Sequence, residues 1–419
     1  MPAATIDTGD TAWVLTSSAL VLLMTPGLAF FYGGLVRRKN ALATIMQSFI
    51  IIGLVSVQWA LWGYSLAFGP DAFGGLIGGL DWIGLRGVGV EPNVDYAPTI
   101  PHQAFMIFQM MFAVITPALI TGAFAERIRF KAFIFFTLLW ATFVYDPIAH
   151  WVWSGSGGTL GIWRAMGALD FAGGTVVHAS SGVSALVAAI YLGKRIGFGQ
   201  ERLEPHNATM VVLGASLLWF GWFGFNAGSA VASGALATSA FVATHLATAM
   251  AAVTWMTMSW MHKGAPSVLG AAAGAVAGLV AITPGSGYVT PPGALLIGFG
   301  AGVVCYWAVV WTKDRFGVDD ALDVFGIHGI GGTFGALATG LFATTAINAA
   351  GGNGLFYGNP QQLLTQFIAV AATWVWAAVV TLIILKVVDV TVGLRVEPHE
   401  ELAGLDASMH NEPAYAVEI

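Results

Sequence analysis

Two stretches of this chain follow one pattern: DFAGGTVVH, from Asp170 to His178, and DVFGIH, from Asp323 to His328. Each begins with an aspartate and ends with a histidine, and a glycine follows each histidine four residues later. Both stretches open long uncharged segments, which predicts that each acid lies at the mouth of a helix and each histidine lies inside it. A pattern that occurs twice in this way indicates two related halves of one fold.

The composition around these stretches is that of a membrane protein, because 57% of the 419 residues are hydrophobic and only 9% are charged. A helix that crosses the roughly 30 Å hydrocarbon core needs about 20 apolar residues. Uncharged stretches divided at turn residues predict an all-α integral membrane protein with eleven transmembrane helices, arranged as two inverted five-helix repeats plus one extra C-terminal helix. The predicted helices cover residues 11–36, 40–68, 100–124, 132–153, 171–193, 207–226, 230–261, 265–283, 292–312, 321–345 and 361–385.

The basic residues predict how the chain is oriented, because Lys and Arg are retained on the cytoplasmic side of a membrane. Fourteen of the sixteen fall in alternate loops, and only Arg86 and Arg164 lie on the other side. We therefore expect a multi-pass protein of the plasma membrane with its N-terminus outside and its C-terminus in the cytoplasm. The parts follow in this order: an external N-terminus (1–10), the first repeat (11–193), the second repeat (207–345), the eleventh helix (361–385) and a cytoplasmic tail (386–419).

Several classes of function are disfavoured by what the sequence contains. The net charge of -6 and the lack of Lys/Arg-rich stretches with interleaved aromatic residues argue against nucleic-acid binding. The single cysteine, Cys305, cannot form an intrachain disulfide. No Walker-A, zinc, haem or nucleotide signature occurs, so we expect no cofactor and no metal. The two histidines have no third ligand beyond the two aspartates, and we expect a protein that is not an enzyme.

The two histidines are the main candidates for chemistry inside the membrane. If helix 5 enters from outside and helix 10 from inside, a rise of about 1.5 Å per residue brings His178 and His328 roughly 10 Å inward from opposite faces. A neutral imidazole can donate and accept hydrogen bonds in sequence, so the pair predicts a short polar path through an apolar bore. The alternative is that each histidine only bonds across helices for packing. His102, His150 and His245 have no repeat partner and are interpreted as packing or loop residues.

Other residues are singled out by their chemistry and position. A carboxylate in the first turn of a helix complements its positive N-terminus, so Asp170 and Asp323 are interpreted as structural and electrostatic support. Trp153 ends helix 4, where the π-face of an indole can hold a cation with about 0.5–2 kcal/mol. Phe112 and Phe225 are expected to stack across the bore as a hydrophobic constriction.

Longer blocks resemble those of the ammonium transporter (Amt/Mep/Rh) family. The stretch from Asp170 to His178, continued to Lys194 and Arg195, is similar to the family signature. The other similar blocks are PGLAFFYGG (26–34), GYSLAFG (63–69), AERIRF (125–130), GWFGFNAGS (221–229), DVFGIH (323–328) and VGLR (392–395). They extend over nearly the whole chain, and the likeness is greatest to the bacterial and archaeal Amt branch.

The resemblance implies an ammonium transporter that forms a homotrimer in the lipid bilayer, with one pore in each subunit. It implies that His178 and His328 line the pore. It further implies an outer ammonium-binding site at Trp153, Ser229 and Phe108.

The resemblance also gives roles to a ring pair and to the tail. It implies that Phe112 and Phe225 form a gate below the outer site. The tail, with Gly393, Arg395 and Asp406, resembles a cytoplasmic segment that couples subunits and meets nitrogen-regulatory proteins of the PII class.

Selectivity is the physical problem for such a pore, because ammonium and potassium have nearly the same size and charge. Moving an intact ion through hydrocarbon would cost from about 2.5 to over 10 kcal/mol on scales for charged side chains. We therefore expect ammonium to lose a proton near the gate and ammonia to cross along the histidines. Whether the proton travels separately, and whether transport carries current, both stay open. The alternatives are an Rh-type neutral gas channel and an ammonium sensor, which we expect to carry an appended signalling domain.

Two residues depart from the family pattern. Asp146 places a carboxylate inside helix 4, and His245 is an additional histidine inside helix 7. Either residue could add a polar branch near the pore, and we favour structural pairing for both.

Overall fold

The computed structural model describes residues 5–415, and within that range it contains helices and three isolated β-bridges but no strand. Ten helices are long and apolar enough to cross a membrane, which confirms an all-α, multi-pass membrane protein. A further apolar helix, α8, has only 15 residues. In chain order the helices are α1 Thr8–Leu35, α2 Arg38–Phe68, α3 His102–Ile120, α4 Phe130–Trp153, α5 Gly174–Leu192, α6 Ala208–Gly228, α7 Ala235–Lys263, α8 Val268–Ile282, α9 Pro291–Arg315, α10 Phe325–Phe342 and α11 Pro360–Val392.

The helix ends follow local chemistry. Polar side chains cap the first turns of α1, α6 and α8, where Asp7, Asn207 and Ser267 accept backbone N–H groups at 2.9–3.0 Å. Gly193 and Gly393 follow the last turns of α5 and α11 with positive φ, which a glycine adopts without strain. The predicted end of helix 11 at residue 385 was too early, since α11 continues for two more turns to Val392.

Small residues let the helices approach closely. A Cβ added to Gly214 of α6 would lie 2.3 Å from the backbone nitrogen of Phe31 in α1. A Cβ added to Gly298 of α9 would lie 2.2 Å from the carbonyl oxygen of Ala247 in α7. These helix pairs are therefore in backbone contact, and the bundle they form is rigid.

Buried ion pairs hold together the face of the bundle that carries the C-terminal tail, here called the tail face. Glu126 accepts two hydrogen bonds from Arg37, both at 2.7 Å, and its carboxylate lies 3.5 Å from Arg195. Arg195 also pairs with Asp319 at 2.8 Å. Burial alone would raise the pKa of Glu126, but the charges of Arg195 and Arg37 lower it below its usual range.

The tail folds back onto this face. Arg395 donates to the carbonyl oxygens of Leu192 and Lys194, both at 2.7 Å. Asp406 accepts the backbone N–H groups of Leu42 and Ala43 at 3.1 and 2.8 Å, at the start of α2. The described part of the tail is therefore ordered against the start of α2 and the end of α5.

Candidate functional site

The start of α5 is held by one carboxylate. Asp170 accepts the backbone N–H groups of Gly173, Gly174 and Thr175 at 2.8, 2.6 and 2.8 Å, and also the hydroxyl of Thr175. The φ of 114° at Gly173 turns the chain so that these groups converge on the acid. Asp170 therefore makes the capping contacts that its position predicts.

The start of α10 is held by a different acid from the one expected. Asp323 has a positive φ of 63° and pairs with Lys313 at 2.7 Å, so its support of α10 comes through this ion pair rather than through capping. The capping acid is Asp320, which accepts the backbone N–H of Phe325 at 2.7 Å. The sequence reasoning chose the acid that opened the DVFGIH stretch. The spacing gave a better signal, because Asp320 precedes His328 by eight residues, as Asp170 precedes His178.

The helices α5 and α10 touch through their glycines. A Cβ on Gly182 would lie 2.0 Å from the backbone nitrogen of Gly329, and a Cβ on Gly332 would lie 2.7 Å from the Cβ of His178. Both histidines lie in widened, π-type turns, a backbone form that is frequent at functional sites. This contact brings the Nδ1 atoms of His178 and His328 to 3.3 Å from each other.

The two imidazoles face a narrow apolar cavity, here called the histidine cavity. Its volume is ≈ 10 Å³, about the space of a single water molecule. Both rings are almost fully buried. Trp222 stacks on His178 at a centroid distance of 5.3 Å, and the Nε2 of His178 has no hydrogen-bond partner among the described residues. The apolar wall comes from several helices and includes Leu28, Ile115, Leu218, Val276 and Ile327.

A wider cavity of ≈ 390 Å³ opens on the face opposite the tail, here called the loop-face cavity. Its wall includes Trp153, Ser229 and Asp170. The indole N–H of Trp153 donates to the carbonyl oxygen of Asp170 at 2.9 Å, which fixes the ring. The hydroxyl of Ser229 donates to the carbonyl oxygen of Phe225 at 2.8 Å, so the lone pairs of its oxygen can still accept.

Two phenyl rings in close contact lie between the cavities. The centroids of Phe112 and Phe225 lie 4.2 Å apart, and Phe112 also contacts Trp153 edge-on at 6.0 Å. Phe112 lines the loop-face cavity, whereas Phe225 lines the histidine cavity and lies 6.0 Å from the ring of His178. A single line of contacts thus runs through five residues in this order: Trp153, Phe112, Phe225, His178 and His328.

One residue expected at the outer site is not on the cavity wall. Phe108 is completely buried and packs edge-on against Phe112 at 5.0 Å, because the small Gly228 leaves room for its ring. Gln109, the next residue, lines the cavity instead, and its Oε1 lacks a hydrogen-bond partner among the described residues. The one-residue difference follows from the helical turn, which rotates each successive side chain by about 100°.

Three further polar residues that the sequence singled out, Asp146, His150 and His102, each have a structural partner. Asp146 accepts a hydrogen bond from Gln58 at 2.8 Å. His150 bonds the carbonyl oxygen of Ala67, and His102 contacts the hydroxyl of Tyr64 at 2.6 Å.

His245 lies on the exposed side of α7, with its ring 5.5 Å from that of Trp219. It does not line either of the two cavities described here. Within residues 5–415, no group of three His, Cys, Asp or Glu side chains could hold a metal ion.

Comparison with known proteins gives consistent matches over nearly the full length. The family model described as Ammonium Transporter Family matches residues 12–415. The ammonium transporter of Bacillus subtilis (strain 168) is 53% identical over 407 residues, covering 97% of this chain and 98% of the relative. The crystal structure of Saccharomyces cerevisiae Mep2 aligns with a TM-score of 0.88 at 36% identity, covering 94% of this chain and 89% of that chain. A solved structure described as a sensor Amt protein aligns with a TM-score of 0.88 at 29% identity, covering 96% and 98%.

Proposed function

This chain belongs to the ammonium transporter family, as its motifs predicted, and we propose that it conducts ammonium nitrogen through the two cavities. Ammonium binds in the loop-face cavity, loses a proton at the Phe112–Phe225 pair, and crosses as ammonia past His178 and His328. The observation that carries this proposal is the continuous line of contacts from Trp153 to His328, which joins a polar entrance to an apolar interior.

The entrance suits a small cation with N–H donors. The π-face of Trp153 attracts positive charge, and the hydroxyl oxygen of Ser229 has lone pairs for an N–H group. Asp170 keeps a buried acid close to this site and fixes the indole through its carbonyl oxygen. Phe108 supports the site from behind, since it holds Phe112 in place.

The interior favours the neutral species. The histidine cavity is apolar and holds about one water molecule, so an intact ammonium ion would lose most of its hydration there. Ammonia can donate to the unpaired Nε2 of His178 and pass on without a net charge. Potassium cannot lose charge by deprotonation, and the same interior excludes it.

The topology we propose has eleven spans, with α8 as a short eighth crossing. The mirrored capping of α5 and α10 by Asp170 and Asp320 supports two inverted repeats, residues 11–193 and 207–345, with α11 added at the end. The N-terminus is then outside, the tail face is cytoplasmic and the membrane is the plasma membrane. Reporters fused after Lys131 and within residues 71–98 would test this orientation, with cytoplasmic and external signals expected respectively.

The assembly we propose is a homotrimer with one pore per subunit. The ordered tail gives the cytoplasmic face a fixed surface, and a PII-class protein is the partner we propose for it. The chain acts as a transporter and not as an enzyme.

The proposal is tested by current and uptake in liposomes that contain the purified protein. An inward ammonium gradient is expected to drive nitrogen uptake, whereas an equal potassium gradient is not. The neighbour described as a sensor makes signalling without transport the rival function. Binding of ammonium without any uptake would support that rival, and uptake of ammonia without a saturable ammonium site would support a neutral gas channel.

A further inference from the structure

The two capping acids are equivalent in position. Asp170 and Asp320 each precede a cavity histidine by eight residues. Each carboxylate accepts the backbone N–H of the residue five positions later, Thr175 at 2.8 Å and Phe325 at 2.7 Å. The repeat therefore places one buried acid before each cavity histidine, at the start of its helix.

The two acids differ in how completely they are satisfied. Both oxygens of Asp170 accept hydrogen bonds, from four successive backbone N–H groups and the hydroxyl of Thr175. In Asp320 only Oδ2 has a partner, and Oδ1 has none within the described part of the chain although the residue is 1% exposed. A buried carboxylate oxygen without a donor is costly, and the cost is removed when that oxygen binds a proton.

Asp320 lies beside the tail-face end of the histidine cavity. Leu322, two residues later, lines the cavity, as do Ile327 and Tyr32. The charge of Asp320 acts electrostatically on Tyr32. The hydroxyl of Tyr32 donates to the carbonyl oxygen of Leu119 at 2.9 Å. The free Oδ1 thus belongs to a buried side chain two residues away from the lining of this cavity, and it is not in open solvent.

The charged groups around Asp320 are few. Asp323 and Lys313, whose side chains are about 30% exposed, interact with Asp320, and so does the guanidinium of the buried Arg127. Burial, together with the charge of Asp323, raises the pKa of Asp320 to about 6, and Lys313 opposes this rise. The acid can therefore change charge near the pH of a cytoplasm.

We propose that Asp320 is the inner proton acceptor of the pore, an inference that rests on the proposed function. Ammonium breaks one N–H bond at the gate, and Nε2 of His178 forms an N–H bond with that proton. The histidine pair then releases a proton through His328, and Oδ1 of Asp320 forms an O–H bond with it. That O–H bond then breaks as the proton passes to water beside Asp323, and Asp320 returns to its anionic form. Asp170, whose oxygens are all occupied, holds its end of the bore without this step.

The test is Asp320→Asn in oriented proteoliposomes, with the pH varied on the cytoplasmic side only. Asparagine can still accept the N–H of Phe325 but cannot take up a proton. The matched control is Asp314→Asn, an exposed acid on the same face. With a pKa of about 6, the wild-type current is expected to fall about tenfold from pH 7 to pH 5, as the ionised fraction falls. Asp320→Asn is expected to lose at least about tenfold at pH 7 and to show no such dependence.

Each result decides the matter. Wild-type current with the wild-type pH profile in assembled Asp320→Asn would overturn the proposal and leave Asp320 as a cap. If Asp320→Asn does not assemble, Asp320→Glu serves instead, and a shifted midpoint of the pH profile supports the proposal while an unchanged midpoint overturns it. Absence of any ammonium-dependent uptake by the wild type would overturn the proposed function itself.

Discussion

The contact between His178 and His328 joins two identical atoms, since Nδ1 of each ring lies 3.3 Å from Nδ1 of the other. One Nδ1 must carry a hydrogen and the other must accept it, so the two rings hold opposite tautomers. A proton that arrives at the free Nε2 of His178 can then leave through His328. Each transfer moves the shared hydrogen from one Nδ1 to the other. The pair is then arranged to pass the next proton in the opposite direction.

Replacing both His178 and His328 by leucine tests whether they conduct or only pack. We expect ammonium flux to fall below detection, or to persist as a leak that also admits potassium, because the neutralisation step is lost. Flux and potassium exclusion are measured in liposomes, and ammonium binding at the loop-face cavity serves as the folding control. Wild-type flux with wild-type potassium exclusion would leave the two residues as packing histidines.

At the entrance, Trp153→Leu removes the π-face and keeps an apolar side chain. A cation–π contact of about 0.5–2 kcal/mol corresponds to a roughly 2- to 30-fold weaker apparent affinity for ammonium. Concentration dependence of uptake gives this value. Trp219→Leu is the control, since Trp219 contacts His245 and does not line the cavity. Equal apparent affinities for ammonium in the two variants would show that Trp153 does not contribute to ammonium binding.

Sequence reasoning succeeded where chemistry and repetition coincided. Two histidines at matching places predicted the contact between their rings, and an acid at a glycine-rich turn predicted the cap at Asp170. It failed where the exact start or rotation of a helix determines which residue makes the contact. The choice of Asp323 over Asp320 depended on where α10 starts, and the burial of Phe108 depended on the rotation of α3, neither of which a residue type reveals.

Among the helices, the contact between α5 and α10 sets the distance between the histidines. Gly182→Ala would place a methyl group 2.0 Å from the backbone nitrogen of Gly329, and backbone cannot yield as a side chain can. We expect a loss of about 1–3 kcal/mol in stability, together with a wider bore that leaks potassium.

Thermal unfolding and potassium flux measure these two effects of Gly182→Ala. Gly53→Ala is a suitable control, because nothing lies within 4 Å of the added methyl group in α2. A Gly182→Ala protein as stable and as selective as Gly53→Ala would contradict the account of a backbone contact.

The described part of the tail is held by hydrogen bonds and ion pairs to the starts and ends of other elements. Truncation after Arg395 removes Glu401, which accepts from Ile196 and pairs with Arg395, and Asp406, which caps α2. We expect uptake to fall severalfold although every cavity residue remains. Truncation after Tyr415 keeps all described contacts and is expected to transport normally. Equal uptake by both truncated proteins, at equal stability, would show that the tail is inert.

At the scale of the whole molecule, the buried ion pairs join both halves of the chain at the tail face. Glu126 comes from the first half and Asp319 from the second, and Arg195 contacts both. In Asp319, burial would raise the pKa, but Arg195 and Arg127 lower it. A carboxyl group whose pKa is lowered by folding stabilises the fold at pH values above its unfolded-state pKa. This contribution is lost as the pH falls through the pKa of the folded state.

The contribution of these ion pairs to stability is therefore expected to be constant from neutral pH down to pH 4.5, the ordinary pKa of Glu126, and to decline below it. Glu126→Gln is expected to lower the free energy of unfolding at pH 7 by about 3–5 kcal/mol, because Arg37 and Arg195 lose a buried partner. Glu204→Gln, in an exposed pair with Arg202, is expected to cost about 0–1 kcal/mol. Unfolding curves at several pH values would reject this account if both variants behaved alike.

On the proposed pathway, the rings of Phe112 and Phe225, which are tilted against each other with centroids 4.2 Å apart, also set the rate of transport. A closed stack admits nothing until the rings part, so each passage waits for a side-chain motion rather than for diffusion to the entrance. Turnover at saturating substrate is then set by the rate at which the two phenyl rings separate. It is expected to rise steeply with temperature and to level off at a ceiling that no increase in ammonium concentration can lift.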